Sequence, residues 1–276
     1  MAYQHNVLTG DDPGVTSLYD YRTAKEYAAY LLPHLKPNFS ILDVGSGPGS
    51  ITRDFAKLVP DGRVVGIDVS PGVVEQARAN HQAPNLSFEV GDATDLAQFD
   101  DNSFDVVHAH CVLMHVPDRV KAFKELRRVC KPGGIVASRD PGAHMMAVKP
   151  DRPPFTRLVT EYGPIQWGVL DSFGTCSHAG LYKRQWAVEA GFGEEHGERI
   201  WEQKSYEHLA RVSNLLKISS AARDKAIELG LATEQQIEEL TSIWDEWAQL
   251  PEHEVTRECM DMLCFKAGGS NSEVCV

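Results

Sequence analysis

The most informative stretch of this 276-residue chain reads Ile41-Leu42-Asp43-Val44-Gly45-Ser46-Gly47-Pro48-Gly49-Ser50. Residues 41–44 have the apolar character of a short buried strand, and the glycine-rich turn after them leads into a helical pattern over 51–59. Glycines let the backbone approach a ligand closely, and the first N–H groups of the next helix point at whatever lies over the turn. This strand, turn and helix therefore predict a binding site for a small polar molecule.

The spacing of the glycines distinguishes two kinds of nucleotide-binding turn. A dinucleotide-binding fold has the pattern G-x-G-x-x-G, which would require a glycine where Ser50 stands. Here the third glycine comes one residue earlier, at Gly49, and a carboxylate, Asp43, precedes Gly45 and Gly47. A leading carboxylate suits a cationic ligand, so the pattern D-x-G-x-G-x-G favours a positively charged cofactor.

Two further predicted strands end at acidic residues. The strand over 63–68 ends in Asp68, which lies 19 residues after Gly49. An acidic residue at this spacing binds the ribose hydroxyls in nucleotide-binding βαβ units, because a carboxylate accepts two hydrogen bonds from a vicinal diol. The strand over 86–90 leads directly into Asp92. These acids are therefore expected to lie beyond the carboxyl ends of parallel strands, where such sheets bind ligands.

A series of short motifs follows in one order over residues 40–140. The motifs are D-x-G-x-G-x-G at 43–49, Asp68, Gly91-Asp92, F-D-V-V at 104–107 and K-P-G-G at 131–134. This series resembles the motifs of the Rossmann-like S-adenosylmethionine (SAM) methyltransferases, in particular the ubiquinone and menaquinone biosynthesis group. The resemblance implies an α/β fold, a Rossmann-like three-layer sandwich with a mostly parallel seven-stranded sheet, and SAM as cofactor.

The resemblance also assigns roles to individual residues. It implies that Asp92 meets the adenine amino group with Ala93 beside the ring, and that His110, after the fourth strand, lies on the cofactor side. Independently of the resemblance, residues 17–35 are expected to form a helix, which either packs on the sheet with its tyrosines as anchors or acts as a lid, with Tyr19 or Tyr21 closing over the cofactor. The complete expected cofactor-binding set is Tyr19, Asp43, Gly45, Ser46, Gly47, Gly49, Asp68, Val69, Asp92, Ala93 and His110.

The chain departs from the family pattern in two places. Residues 140–184 are too long for a plain loop in a compact domain. A second insertion, 204–250, separates strand six (near 195–202) from strand seven (near 259–266), with helical patterns at 205–217, 219–229 and 234–248. We expect a single domain over 1–276, a helical lid within 1–35, and insertions at 145–180 and 204–250 that cap the acceptor.

The tryptophans of the second insertion allow two interpretations. Trp244 and Trp247 stand at helical spacing and are either packing anchors or an aromatic wall for an apolar acceptor. The same inserted helices are expected either to cover the acceptor or to form the contact of a homodimer.

Methyl transfer itself requires mainly the alignment of nucleophile, methyl group and sulfur, and needs no metal. A base helps only where the acceptor is an O–H group or a protonated amine, and histidine is the usual choice near neutral pH. His115 and His144 are the candidate catalytic residues, although His115 also suits a structural role at the start of the next helix. Arg139 and Asp140 are candidates to bind polar groups of the acceptor.

The composition and charge of the chain limit the kinds of molecule that it is expected to bind. The net charge of −12 argues against a nucleic-acid substrate, no apolar run is long enough to span a bilayer, and no signal peptide is recognisable. A cytoplasmic protein is expected.

The six cysteines have no metal-ligand spacing, so no metal site is expected. Cys111 would be the best member of a thiol relay for arsenic or redox chemistry.

The leading functional hypothesis is methyl transfer from SAM to a small, apolar or aromatic metabolite, with an O, N, C or S nucleophile left open. One alternative is arsenite or thiol methylation, which would require clustered cysteines. The other is a SAM-binding protein without methyl transfer, such as a regulatory subunit or a cyclase.

Overall fold

The computed structural model describes residues 19–209 and 215–268, and within them one mixed sheet. Its strands are β1 (Ser40–Val44), β2 (Arg63–Asp68), β3 (Leu86–Val90), β4 (Phe104–His110), β5 (Cys130–Lys149), β6 (Arg199–Leu209) and β7 (Glu254–Phe265). The α-helices are α1 (Ala24–Tyr27), α2 (Ser50–Leu58), α3 (Pro71–Asn80), α4 (Arg119–Val129), α5 (Gly163–Ser172), α6 (Ala179–Glu189), α7 (Leu215–Ile218), α8 (Ser220–Glu228) and α9 (Glu234–Ala248). A π-helical turn, Leu158–Tyr162, precedes α5, and 3₁₀ turns occupy Leu32–His34 and Glu194–His196.

The strand order is β3-β2-β1-β4-β5-β7-β6. The first five strands in this order are parallel, and β7 runs antiparallel between β5 and β6. The predicted α/β fold with a mostly parallel seven-stranded sheet is therefore confirmed. The parallel arrangement brings the carboxyl ends of β1 to β4 to one edge of the sheet, where the acidic residues of the motifs follow the strands.

Helices cover both faces of the sheet, because its central strands β1 and β4 bury side chains on both sides. On one face, Phe55 of α2 packs with Ile41 and Val106 from the strands. On the other face, Phe123 of α4 packs with strand residues such as Val107. The sheet is thus the middle of three layers, as expected, and the ligand-facing edge lies between them.

The last three strands are longer than predicted. β5 continues to Lys149, β6 continues to Leu209, and β7 already begins at Glu254. The added lengths pair with each other, as Val148 does with Val255. Backbone pairing thus extends the strands beyond the region that the hydrophobic pattern marked, and the predicted helix over 205–217 is wrong in its first residues for this reason.

The N-terminal segment is also less regular than predicted. Instead of a helix over 17–35, it forms a turn from Tyr19, the four-residue helix α1 and the 3₁₀ turn. Thr23 caps α1 by accepting from the Glu26 N–H group at 3.3 Å. Residues 1–18 of the expected lid lie outside the described part of the chain.

The insertion between β6 and β7 is helical, as predicted. Together with the π-helical turn and α5, its helices α7, α8 and α9 enclose an apolar cluster, which we call the insertion cluster; it includes Leu158, Tyr162, Leu216, Leu240, Trp244 and Trp247. The Trp244 ring lies 4.7 Å from that of Tyr162, and Trp247 Nε1 donates to the Lys149 carbonyl at 2.7 Å. Both tryptophans are buried, so the geometry favours packing anchors over an acceptor wall.

Candidate active site

The glycine turn after β1 has a left-handed backbone, which glycine adopts readily and other residues adopt rarely. Gly45, Gly47 and Gly49 have φ angles of +66°, +55° and +90°. A Cβ atom on Gly45 would lie 2.3 Å from Val112 Cγ2, and one on Gly49 would lie 2.6 Å from Phe88 Cζ. The turn is thus packed between Val112, in the segment after β4, and the Phe88 side chain of β3. Both the left-handed backbone and these close contacts favour glycine.

Asp68 lies beside this turn at the end of β2. Its carboxylate accepts the Gly47 N–H group at 3.0 Å and the Ser70 N–H group at 3.1 Å. Ser70 in turn caps α3 by accepting from the Val73 N–H group. The carboxylate is half-buried, like the neighbouring Val69, and connects the turns that follow β1 and β2.

Asp92 lies next to this pair of turns. The Gly91 N–H group donates to the Asp68 carbonyl at 3.0 Å, which joins the ends of β2 and β3. Asp92 Oδ1 accepts from the Thr94 backbone N–H at 2.8 Å and from the Thr94 hydroxyl at 2.9 Å. Only one carboxylate oxygen takes part in these bonds, and Ala93 beside it is buried.

Asp43 differs from the other two acids because its carboxylate points into the protein. It is 3% exposed, accepts from the Thr52 hydroxyl at 2.6 Å, and lies 2.7 Å from His108 Nδ1. The geometry therefore does not support the expected direct contact with a cationic ligand. Instead, the carboxylate holds α2 against β4, directly under the glycine turn.

Ser46, also expected to bind the cofactor, ties the glycine turn to β2. Its N–H group donates to the Ile67 carbonyl at 2.8 Å, while its hydroxyl is buried without a hydrogen bond among the described residues.

The N-terminal segment lies at the same edge. The Ser50 hydroxyl, at the start of α2, donates to the Tyr19 carbonyl at 3.3 Å. Arg22 lies over the Tyr19 ring at 4.5 Å, and the Tyr27 ring meets the His110 ring edge-on at 5.5 Å. The structure thus brings Tyr19 and His110 to the ligand-facing side of the sheet, near the glycine turn.

His115 lies in the loop between β4 and α4. Its Nδ1 is 3.5 Å from the hydroxyl of Thr175, which precedes α6. Burial, together with the charges of Arg257 and Arg119, lowers the pKa of His115 to about 4. The imidazole is therefore neutral near pH 7. His144, the other candidate, belongs to β5, and its side chain lies outside what the structure describes.

Arg139 and Asp140 do not face an acceptor as the sequence suggested. Arg139 is 4% exposed and pairs with Asp261 of β7 at 3.3 Å. Asp140 is fully buried, and its Oδ2 lies 4.0 Å from the ammonium of Lys183, a buried residue of α6. Sequence reasoning missed Lys183 and Asp261, because lysine and aspartate normally indicate solvent-exposed positions.

Comparison with known proteins identifies the family. The model of the family described as a methyltransferase domain matches residues 35–163. An uncharacterized methyltransferase of Schizosaccharomyces pombe is 34% identical over 195 residues, which cover 67% of this chain and 68% of that protein. This chain is a class I SAM-dependent methyltransferase. The predicted family, enzyme class and methyl donor are confirmed.

Two further comparisons concern named enzymes. A demethylmenaquinone methyltransferase of Staphylococcus aureus is 32% identical to this methyltransferase over 170 residues, or 60% of this chain and 66% of that one. The structure of Haemonchus contortus phosphoethanolamine N-methyltransferase 2 with S-adenosylhomocysteine has a TM-score of 0.53 and 18% identity, and the match covers 92% of this chain and 58% of that one. The second likeness shows the shared fold.

The described residues of this methyltransferase, 19–209 and 215–268, show neither a metal-ligand cluster nor a membrane-spanning helix. No group of three or more His, Cys, Asp or Glu residues there is arranged to hold a metal ion. Among the same residues, no helix is both long and apolar enough to cross a bilayer. Cys130, Cys259 and Cys264 are buried, whereas Cys111 and Cys176 are half-buried.

Proposed function

We propose that this methyltransferase transfers the methyl group of SAM to a small acceptor with an apolar or aromatic body. The observation that carries this proposal is the contact between the insertion cluster and the segment after β4. Met114 belongs to that cluster, and Cys111 and Phe173 pack against it. The apolar side of the insertion thus adjoins the carboxyl end of β4, where an acceptor would approach the cofactor.

The proposed cofactor site uses the side chains that the sheet edge brings together. Asp68 would bind the ribose hydroxyls, exchanging its bond to the Gly47 N–H group for bonds to the diol, and Asp92 would meet adenine beside Ala93. The backbone of Gly45, Ser46, Gly47 and Gly49 would form the close wall. Val69, His110 and Tyr19 would complete the site. The turn leaves space for a ligand at Gly47, because a Cβ atom there would meet no heavy atom of the described residues within 4 Å.

The chemistry divides between cofactor and protein. SAM supplies an activated methyl group on its sulfonium, and the protein aligns the acceptor with it, which is worth roughly 7–11 kcal/mol. Neutral His115 can accept a hydrogen bond from an acceptor hydroxyl or amine. With its low pKa it is a weak base, which suits orientation of the acceptor more than full proton removal. His144 remains the second candidate base.

Demethylmenaquinone, which the name of the S. aureus relative gives as its substrate, is one acceptor of the proposed kind. Because the insertion cluster includes Met114 of the segment after β4, the proposal takes the insertion as a cap over the acceptor and not as a homodimer contact. Cys111 and Cys176 both pack against the insertion cluster, which is the observation that keeps arsenite methylation as a second candidate.

The test is transfer of labelled methyl from SAM to a panel of acceptors: demethylmenaquinone, a simple phenol, phosphoethanolamine, and arsenite with thiol. Label in the ring acceptors, but not in phosphoethanolamine, would support the proposal. Label in arsenite alone would establish the second candidate. Tight SAM binding without transfer to any acceptor would favour a SAM-binding protein.

A further inference from the structure

The loop between β4 and α4, which carries Cys111 and His115, makes several hydrogen bonds to neighbouring elements, and two of them are at Met114. The Met114 N–H group donates to Asp140 Oδ1 at 3.3 Å. The Met114 carbonyl accepts the Cys176 N–H group at 2.7 Å. The loop is thus fastened to the end of β5 on one side and to the segment before α6 on the other.

The acceptor of the first bond is a fully buried carboxylate held by a fully buried lysine. Lys183 Nζ donates to the Ser138 carbonyl at 3.0 Å and to the Met260 carbonyl, which anchors the ammonium on β5 and β7. Asp140 Oδ2 lies 4.0 Å away, close enough for charge attraction but too far for a hydrogen bond. Burial raises the pKa of Asp140 and lowers that of Lys183, and each charge opposes the shift of the other.

Close packing of α6 on the sheet makes this arrangement possible. A Cβ atom on Gly180 would lie 2.6 Å from the Pro141 carbonyl oxygen. Glycine at this position lets the start of α6 reach the backbone that follows Asp140, and Lys183 then lies beneath the loop.

A buried ion pair is seldom a source of net stability, because removing two charges from water costs about as much as their attraction returns. Instead, the ion pair fixes the orientation of the Asp140 carboxylate, whose Oδ1 then accepts a hydrogen bond from the loop that bears His115. We propose that Asp140 is a positioning residue for methyl transfer, which acts through the Met114 N–H group and is itself held by Lys183. The proposal rests on the proposed function in one respect, namely that the acceptor meets the methyl group over this loop.

Three single variants separate positioning from general stability. Asp140→Ala removes the oxygen that holds Met114. Asp140→Asn keeps an oxygen in the same place and should restore the bond. Glu198→Ala is the matched control, because Glu198 is another buried carboxylate in an ion pair, and its side chain accepts from Arg127 of α4 at 2.8 Å.

The measurements are deuterium exchange at the Met114 amide, affinity for S-adenosylhomocysteine by calorimetry, melting temperature, and kcat with the acceptor that gives turnover in the panel. In Asp140→Ala we expect faster exchange at Met114 and a kcat lower by roughly 10²-fold, the effect of a misplacement of about 1 Å. Affinity for S-adenosylhomocysteine should stay at the wild-type value, and Asp140→Asn should recover most of kcat. Glu198→Ala should lower the melting temperature alone.

Wild-type exchange and kcat in Asp140→Ala would overturn the proposal, and so would an equal loss of kcat in Glu198→Ala. Should Asp140→Ala not fold, Asp140→Leu combined with Lys183→Met replaces the pair by apolar side chains, an exchange that buried pairs often tolerate, and carries the same expectations. If the wild type turns over no acceptor, the proposed function has failed. In that case two other measurements test whether Asp140 positions the loop. The rate of deuterium exchange at Met114 and the rate of Cys111 alkylation by iodoacetamide should both rise in Asp140→Ala.

Discussion

The ligand-facing edge of the sheet and the insertion cluster are stabilised in different ways. At the sheet edge, glycines with a left-handed backbone and hydrogen bonds from backbone N–H groups to carboxylates set the geometry, as where Gly47 donates to Asp68. In the insertion, buried aromatic side chains such as Trp244 and Tyr162 hold the helices together. A substitution at the edge should therefore change ligand affinity with little effect on folding, whereas a substitution in the insertion should change stability first.

The largest expected effect is on the insertion. Trp244→Ala removes a buried indole and should lower the free energy of unfolding by about 3–5 kcal/mol. SAM affinity of the protein that remains folded should stay near the wild-type value, because Trp244 lies in the insertion cluster and not at the glycine turn. Chemical denaturation and calorimetry measure the two quantities. Tyr182→Ala, an exposed aromatic residue of α6, is the control and should cost far less. Loss of SAM affinity at full stability would contradict the separation of the two regions.

The next effect concerns the sheet edge. Asp68→Ala should weaken SAM binding by about 1.5–3 kcal/mol, the scale of hydrogen bonds to a charged group. Asp68→Asn should weaken it less, because the amide oxygen can still accept a hydrogen bond from a ribose hydroxyl. The exposed Asp61, before β2, offers a control, and Asp61→Ala should bind SAM as the wild type does. If calorimetry finds the same SAM affinity in all three variants, Asp68 does not bind the ribose hydroxyls.

A smaller effect is expected on the pH dependence of stability, through His115. Its pKa of about 4 lies below the value of about 6.5 for an unfolded histidine. Between these values the unfolded chain binds the additional proton, so the stability that His115 contributes is complete above pH 6.5 and is lost as the pH falls toward 4. In His115→Asn the melting temperature should therefore fall less steeply over this range than in the wild type. Identical slopes would show that the imidazole is not desolvated by the loop and Thr175.

The smallest expected effect is that of a chelator. Methyl transfer from SAM needs no metal, and the described residues hold no metal-ligand cluster. Activity should therefore be the same with and without EDTA, as measured by transfer of labelled methyl. A loss that Mg²⁺ or Zn²⁺ restores would reveal a site assembled from residues outside the described ranges.

Much of the sheet edge was predictable because its signals are local in the chain. The glycine spacing, the acids after β2 and β3, and the turn before β5 each occupy a few consecutive residues whose conformation follows from their own chemistry. The direction of the Asp43 side chain was not predictable in this way. Its partner His108 comes from another strand, and only the register of β1 with β4 brings the two together.

The sequence by itself determined the fold class, the order of the motifs and the family, because strand, turn and helix signals depend on neighbouring residues. Tertiary structure alone decided how far β5, β6 and β7 extend, since backbone pairing lengthens strands that the hydrophobic pattern marks only in part. It also decided that Trp244 and Trp247 face inward, and that Lys183 lies beneath the loop of His115. These features depend on contacts between elements far apart in the chain, and burial, not residue type, gives such side chains their roles.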